Sequence, residues 1–216
     1  MEQAIIDFII VVLGILFALF LNRINDKRKH KKRINSIMSI VIKNIKSDLD
    51  NIKKCTASLD LDNKKYKIFI NEKNPDDELL IDCKMIPVSF SYFSPKTRGY
   101  LLLKDARIDF DFRDSELITD VVHFYNSWLS HIEFMKEKIL NIASKNIEGM
   151  SSFEWFDSAI NHNSNTKNYL DYMRTDTYKQ KVVYMQSMKN IYKDLLLMYD
   201  NKIAEFLDRI IESDYK

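Results

Sequence analysis

The sequence predicts an all-α protein in which an N-terminal transmembrane helix continues into a long amphipathic helix, packed with a cytosolic helical bundle. Three observations favour this fold class. Glycine and proline each occur only three times in 216 residues, which suits long helices and leaves few sites for tight turns. The chain opens with an apolar run, and most later segments repeat apolar residues at intervals of three and four, the period of a helix with one buried face.

The first element is an apolar segment near the N-terminus. Residues 8–21 are fourteen residues without a charge, and extension back to Ala4 gives eighteen with Asp7 included. At ~1.5 Å rise per residue the segment is roughly 27 Å long, close to the ~30 Å hydrocarbon core of a bilayer. A signal peptide would have basic residues before the apolar run and small residues after it, which is the reverse of this order. We therefore expect residues 1–22 to form a transmembrane helix.

Residues 23–33 form a basic juxtamembrane segment. Its seven cations are Arg23, Lys27, Arg28, Lys29, Lys31, Lys32 and Arg33. The positive-inside rule then predicts a single-pass membrane protein with the N-terminus outside and residues 34–216 as a cytosolic α-helical domain. The run serves as a stop-transfer signal in the simplest interpretation, and contact with anionic lipid of the inner leaflet is the alternative. Nucleic acid is not an expected partner, because residues 34–216 carry 26 basic and 28 acidic residues and continue no basic surface.

One stripe of the transmembrane helix differs from the rest. At about 100° per residue, six residues lie within about 40° of one direction. The stripe consists of Asp7, Val11, Gly14, Ala18, Leu21 and Asn25. Small residues let helices approach closely and a polar group in lipid seeks a partner, so the stripe is a candidate packing face between copies. The alternative is that Asp7 lies at the outer interface and Gly14 is incidental.

The cytosolic part should begin without a linker. The apolar residues Ile34, Ile37, Met38, Val41, Ile45, Leu49 and Ile52 recur at helical spacing, which predicts one continuous helix from the transmembrane segment to about Cys55. A looser stretch with all three prolines follows. Within it, residues 64–71 are expected to form a short helix or strand, and residues 76–84 a short helix.

Two further long helices are predicted. The first extends from residue 115 to about residue 146, capped by Asp114 or Ser115, and Gly149 is expected to break it. A short amphipathic helix over residues 151–161 and a polar turn should follow. The last helix begins near Thr177 and carries Met185, Met188, Tyr192, Leu195, Tyr199, Ile203, Phe206 and Ile210 in one stripe, which is typical of a core or helix-pairing surface rather than a cofactor site.

Two segments carry a family resemblance. "DFIIVVLGILFALFLNRINDKRK" and "SFSYFSPKTRGYLLLKDARIDFDFRDSELITDVVHFYN" resemble the corresponding parts of uncharacterised single-pass membrane proteins of Bacteroidota. Those proteins open with a short acid-containing apolar helix and have a helical cytosolic domain. Gly99 and Arg107 depart from the family pattern. The resemblance implies the membrane location and the helical fold, and it implies no activity.

Catalytic and metal-binding patterns are not apparent in the sequence. Among the four histidines and two cysteines there is neither an HExxH motif nor a CxxC pair, so we expect neither a zinc site nor a cofactor. Cys55 and Cys83 are interpreted as buried thiols. Glycine-rich phosphate loops and a GxSxG elbow are also missing from the sequence. We therefore expect a protein that is not an enzyme.

The leading functional hypothesis is a self-associating single-pass membrane protein whose cytosolic domain senses a protein partner and oligomerises. By architectural analogy alone, such a protein acts on the membrane as a pore or effector of antiviral or stress type. A ring of Asp7 side chains would resemble a cation-selective constriction. The alternatives are a passive membrane anchor or scaffold for a cytosolic partner, and an enzyme whose site would use residues such as Asp109, Asp111 or His123.

Overall fold

The structure, a computed structural model, describes residues 2–105, 112–156 and 167–214. These residues form six helices and no strand, which confirms the all-α prediction. The helices are α1 (Glu2–Asn71), α2 (Asp77–Cys83), α3 (Arg98–Asp105), α4 (Phe112–Ser151), α5 (Lys167–Met173) and α6 (Asp176–Asp214). We refer to the described residues from Ile34 onward as the helical body.

α1 is one helix of 70 residues, roughly 105 Å long at helical rise. The prediction that it ends near Cys55 is wrong, and residues 64–71 are its last turns rather than a separate helix or strand. The helix continues because Leu59 and Phe69 extend its buried face, while no glycine or proline lies between Cys55 and Pro75. Pro75 has no backbone N–H to offer a further helical turn.

α6 runs antiparallel to α1 along the length of the helical body. Near the far end of the body the Nζ atom of Lys189 lies 2.6 Å from Oδ2 of Asp62, whereas Ile210 shares a core with Ile34 at the end nearest the apolar segment. The apolar stripe of α1 and the apolar stripe of α6 therefore face each other and are both buried. The predicted stripe of α6 is confirmed, since every residue in it is buried except the half-buried Leu195.

α4 also runs antiparallel to α6 and packs against its buried stripe. The rings of Phe124 and Phe206 stack with centroids 4.6 Å apart, and Asp120 and Arg209 approach to 4.0 Å. Two apolar clusters result. The larger one joins α1, α3, α4 and α6, and a smaller one at the far end joins α2, α5 and the adjoining turns of α1 and α6.

α4 is longer at both ends than the sequence predicts. It begins at Phe112, so Asp114 and Ser115 lie within the helix rather than capping it, and it continues through Gly149 to Ser151. A glycine inside a helix costs about 1 kcal/mol relative to alanine. Here the helix continues for another two residues because Met150 is buried in the body.

Two short helices were not expected from the sequence, α3 and α5. α3 packs against α1 where Gly99 meets Val41, since a Cβ at Gly99 would lie 2.8 Å from the Val41 backbone nitrogen. The glycine therefore permits this close approach. In the predicted helix over 151–161, Ser151 is the last residue of α4, residues 152–155 form turns and bends, and residues 157–161 lie outside the described residues.

Candidate functional site

The apolar segment of α1 makes no packing contact with the rest of the described chain. Among the described residues, α1 is the one helix long and apolar enough to cross a membrane, with a window of mean hydropathy 2.2 that is 0% buried. Side chains as large as Phe8 and Phe17 are more than 60% exposed. An apolar surface of this extent requires a cover, because large exposed apolar patches on proteins mark contact with a membrane or another chain.

All six residues of the predicted stripe are exposed. A Cβ added at Gly14 would meet no atom within 4 Å, and Oδ1 of Asp7 accepts a hydrogen bond from Nε2 of Gln3 at 3.1 Å, one turn earlier in the helix. No other element of the described chain occupies this face. The stripe is thus free to pack against a helix of another molecule.

The basic run, which we call the neck (residues 23–33), is a helical continuation of the apolar segment. All seven of its Lys and Arg side chains are exposed. Leu21 ends the apolar run and Ile34 is the first buried side chain of the helical body, so about 20 Å of helix separates the two. The headgroup layer on each side of a bilayer is only ~5–8 Å thick. If α1 crossed a bilayer, the core of the helical body would therefore begin roughly 12 Å beyond the headgroups.

Within the helical body, an extended segment crosses the helices. We call residues 84–97 the strap, because they follow α2 and reach α3 mostly without helical structure. Side chains of the long helices form hydrogen bonds with the main chain of the strap at several points. Asn146 Nδ2 donates to the carbonyl of Pro87 at 2.7 Å, and Tyr125 donates to the carbonyl of Lys96. These bonds replace the main-chain partners that a helix or sheet would supply.

Lys189 is a fully buried anchor of the strap. Its side chain is 0% exposed, and Nζ donates to the carbonyl of Ile86 at 3.1 Å as well as to the carboxylate of Asp62. Burial lowers the pKa of Lys189, and the hydrogen bond that Lys189 donates to Asp62 acts in the opposite direction. The ammonium thus ties α6 to both α1 and the strap.

Asp48 holds the other end of the strap. Its carboxylate, with no exposed surface, accepts the backbone N–H of Lys96 at 3.1 and 3.2 Å. Burial raises the pKa of Asp48 to about 6, and the hydrogen bond and charge of Lys96 oppose this shift. Four buried polar atoms in the helical body have no hydrogen-bond partner in the described chain: Asn44 Nδ2, Gln186 Oε1, the Tyr199 hydroxyl oxygen and Asp200 Oδ1.

The cysteines and the possible metal ligands of the described residues were the candidates for chemistry. Cys55 and Cys83 are both buried and free, and burial raises the pKa of each to about 11, so both remain thiols at neutral pH. Among the described residues no three His, Cys, Asp or Glu side chains come together as a metal site. Asp109 and Asp111 lie outside the described residues, and His123 is exposed on α4.

Comparisons with known proteins give no match: no protein family, curated protein or solved structure is similar to this chain at a significant level. The resemblance to single-pass membrane proteins of Bacteroidota therefore stays a prediction.

Proposed function

We propose that this chain is a self-associating single-pass membrane protein of the bacterial inner membrane. In this proposal the N-terminus lies outside, α1 crosses the bilayer, and the helical body lies in the cytosol. The observation that carries the proposal is the apolar segment itself, which is fully exposed and continues without a break into a folded body. Its length suits a bilayer core, and the neck supplies the positive charges that orient such helices.

The stripe is the proposed contact between copies. Gly14 and Ala18 present little side-chain volume on a face that no part of the described chain covers. Within a membrane, close packing of small residues and pairing of polar groups drive helix association. The same contact can give the side chain of Asp7 a polar partner within the membrane. Each copy brings one Asp7 carboxyl group to the axis around which the copies associate.

Disulfide cross-linking in native membranes tests this contact. In Ala18→Cys the thiol lies on the stripe, and in Leu16→Cys it lies about half a turn away. The native thiols are buried and do not compete. We expect Ala18→Cys to give a covalent dimer several-fold more readily than Leu16→Cys. Equal yields from the two variants, or no dimer from either, would contradict association through the stripe.

The activity that follows from such an assembly is on the membrane. A ring of Asp7 carboxylates around one axis would favour cations, as charged rings do in cation channels. The test is ion flux through liposomes that contain the full chain, compared with Asp7→Leu and Gly14→Leu. Loss of flux in both variants supports a pore. Absence of flux in the wild-type chain would leave a membrane anchor for a cytosolic partner as the function.

A further inference from the structure

The cations of the neck surround the helix on all sides. Because α1 is one unbroken helix through the apolar segment and the neck, each residue is turned about 100° from the one before it. Seen along the axis, the seven exposed cations lie at about 0°, 40°, 80°, 140°, 180°, 240° and 280°, in the order Arg23, Lys27, Lys31, Arg28, Lys32, Lys29 and Arg33. Within the neck, no sector wider than about 80° is without a positive charge.

The neck also has no apolar side. Ile24 is its one apolar residue, and Asp26 is its one acid. A helix that lies flat on a membrane needs a broad apolar face, and a helix that docks on a protein presents one contact side. Charge around the whole circumference instead fits an anionic partner that encircles the helix. The headgroup layer of a leaflet encircles any helix that crosses it.

The excess positive charge of the chain is confined to this level of the helix. The neck carries seven cations and one acid, whereas residues 34–216 carry 26 cations and 28 acids. A nucleic acid is a long polyanion and is bound through an extended basic surface, which the helical body does not continue. The charge pattern therefore favours membrane lipid over nucleic acid.

The neck begins at the height of the headgroups. At helical rise, Arg23 lies about 3 Å and Lys29 about 12 Å beyond Leu21, and the headgroup layer is ~5–8 Å thick. The Cα–Cβ bonds of a helix tilt toward its N-terminus, so these side chains lean back toward the apolar segment. The potential of an anionic leaflet extends a further ~8 Å at physiological ionic strength. Most of the neck therefore lies within reach of anionic headgroups.

We propose that the neck binds anionic phospholipids, whose phosphate groups form a shell around α1 where it leaves the bilayer. This inference rests on the proposed function, because it requires α1 to cross a membrane. The helical body leaves the space around the neck to the lipid, since all seven cations are exposed and the buried core begins at Ile34. The ligand class is a glycerophospholipid of net negative charge, such as phosphatidylglycerol.

The lipid selectivity of the full chain in bilayers tests the proposal. The chain is reconstituted in phosphatidylcholine, and electron paramagnetic resonance measures the fraction of spin-labelled lipid that the protein immobilises. We expect wild type to immobilise spin-labelled phosphatidylglycerol several-fold more strongly than spin-labelled phosphatidylcholine. Because the preference is electrostatic, it should decline when salt is raised from about 0.01 M to about 1 M.

A triple variant of the neck is compared with a matched triple variant of the helical body. Each replaces three exposed cations of α1 by glutamine. The neck variant carries Lys27→Gln, Arg28→Gln and Lys29→Gln, and the control carries Lys43→Gln, Lys53→Gln and Lys54→Gln. We expect the neck variant to lose most of the preference and the control to keep it, because Lys43 already lies about 33 Å beyond Leu21.

The outcomes separate this inference from the proposed function. A chain that an alkaline wash removes from the vesicles would overturn both, since α1 would not cross the bilayer. If the chain stays in the bilayer but wild type shows no preference for phosphatidylglycerol, the inference fails and the membrane protein remains. Equal preferences of the neck variant and the control would also overturn it. If wild type has no lipid preference and binds a labelled oligonucleotide that the neck variant does not bind, nucleic acid replaces lipid as the partner of the neck.

Discussion

The hydroxyl group of Tyr192 forms hydrogen bonds with both the backbone N–H and the backbone carbonyl of Phe93. It accepts the Phe93 N–H at 3.1 Å and donates to the Phe93 carbonyl at 3.2 Å. Both side chains are buried, so one phenol replaces the two bonds that a neighbouring strand would make. The strap therefore crosses the core of the helical body without leaving these polar groups unpaired.

Tyr192→Phe should destabilise the helical body. The substitution keeps the ring and leaves the buried N–H and C=O of Phe93 without their partner, and an unsatisfied buried group costs ~1–3 kcal/mol. The measurement is thermal unfolding of the detergent-solubilised chain by circular dichroism. Tyr184→Phe is the matched control, because the Tyr184 side chain is exposed. A similar melting temperature for both variants would contradict the anchoring role.

Two glycine substitutions should have opposite effects on the free energy of unfolding. Gly99→Ala places a Cβ within 2.9 Å of the Val41 backbone and should destabilise by about 1–3 kcal/mol, as overpacking does. Gly149→Ala meets only the flexible end of Lys181 at 3.1 Å and should stabilise α4 by up to about 1 kcal/mol. A Gly99→Ala chain that unfolds at or above the wild-type temperature would show that α3 does not pack as described.

The ionisation of Asp48 should make stability depend on pH. Its pKa is about 6 in the folded chain against an ordinary value of 3.8, so the folded state binds more protons between these values. Stability from this group is therefore greatest below about pH 4 and falls as pH rises to about 6. Asp48→Asn cannot titrate. The melting temperature of the variant, relative to wild type, should rise between pH 4 and pH 7, and a constant difference would contradict the shift.

The orientation of α1 can be tested from outside the cell. Gln3→Cys places a thiol at an exposed position before the apolar segment, and Lys29→Cys places one in the neck. A thiol reagent that does not cross membranes should label Gln3→Cys in intact cells and label Lys29→Cys only after lysis. The reverse pattern would place the helical body outside.

Much of the fold follows from local patterns in the sequence. The apolar segment, the continuation into the helical body and the buried stripe of α6 all appear as runs or three/four repeats. The boundaries were less predictable. α1 continues beyond Cys55 and α4 continues beyond Gly149. The burial of Phe69 and Met150 in the core outweighs the local sequence signals that predict earlier helix ends.

The strap and its anchors could not be predicted in the same way. Tyr192 and Phe93 are 99 residues apart, and Lys189 and Asp62 are 127 apart, so no local spacing indicates that they meet.

The central claim is association of copies through the stripe of α1. Its most direct test is the mass of the full chain in lipid nanodiscs, for wild type, for Gly14→Leu and for Val12→Leu, which enlarges a side chain away from the stripe. We predict a discrete oligomer for wild type and Val12→Leu, and its loss in Gly14→Leu, because the added side chain fills the close-packed face. A monomeric wild-type chain, or an oligomer that Gly14→Leu leaves intact, would contradict the account.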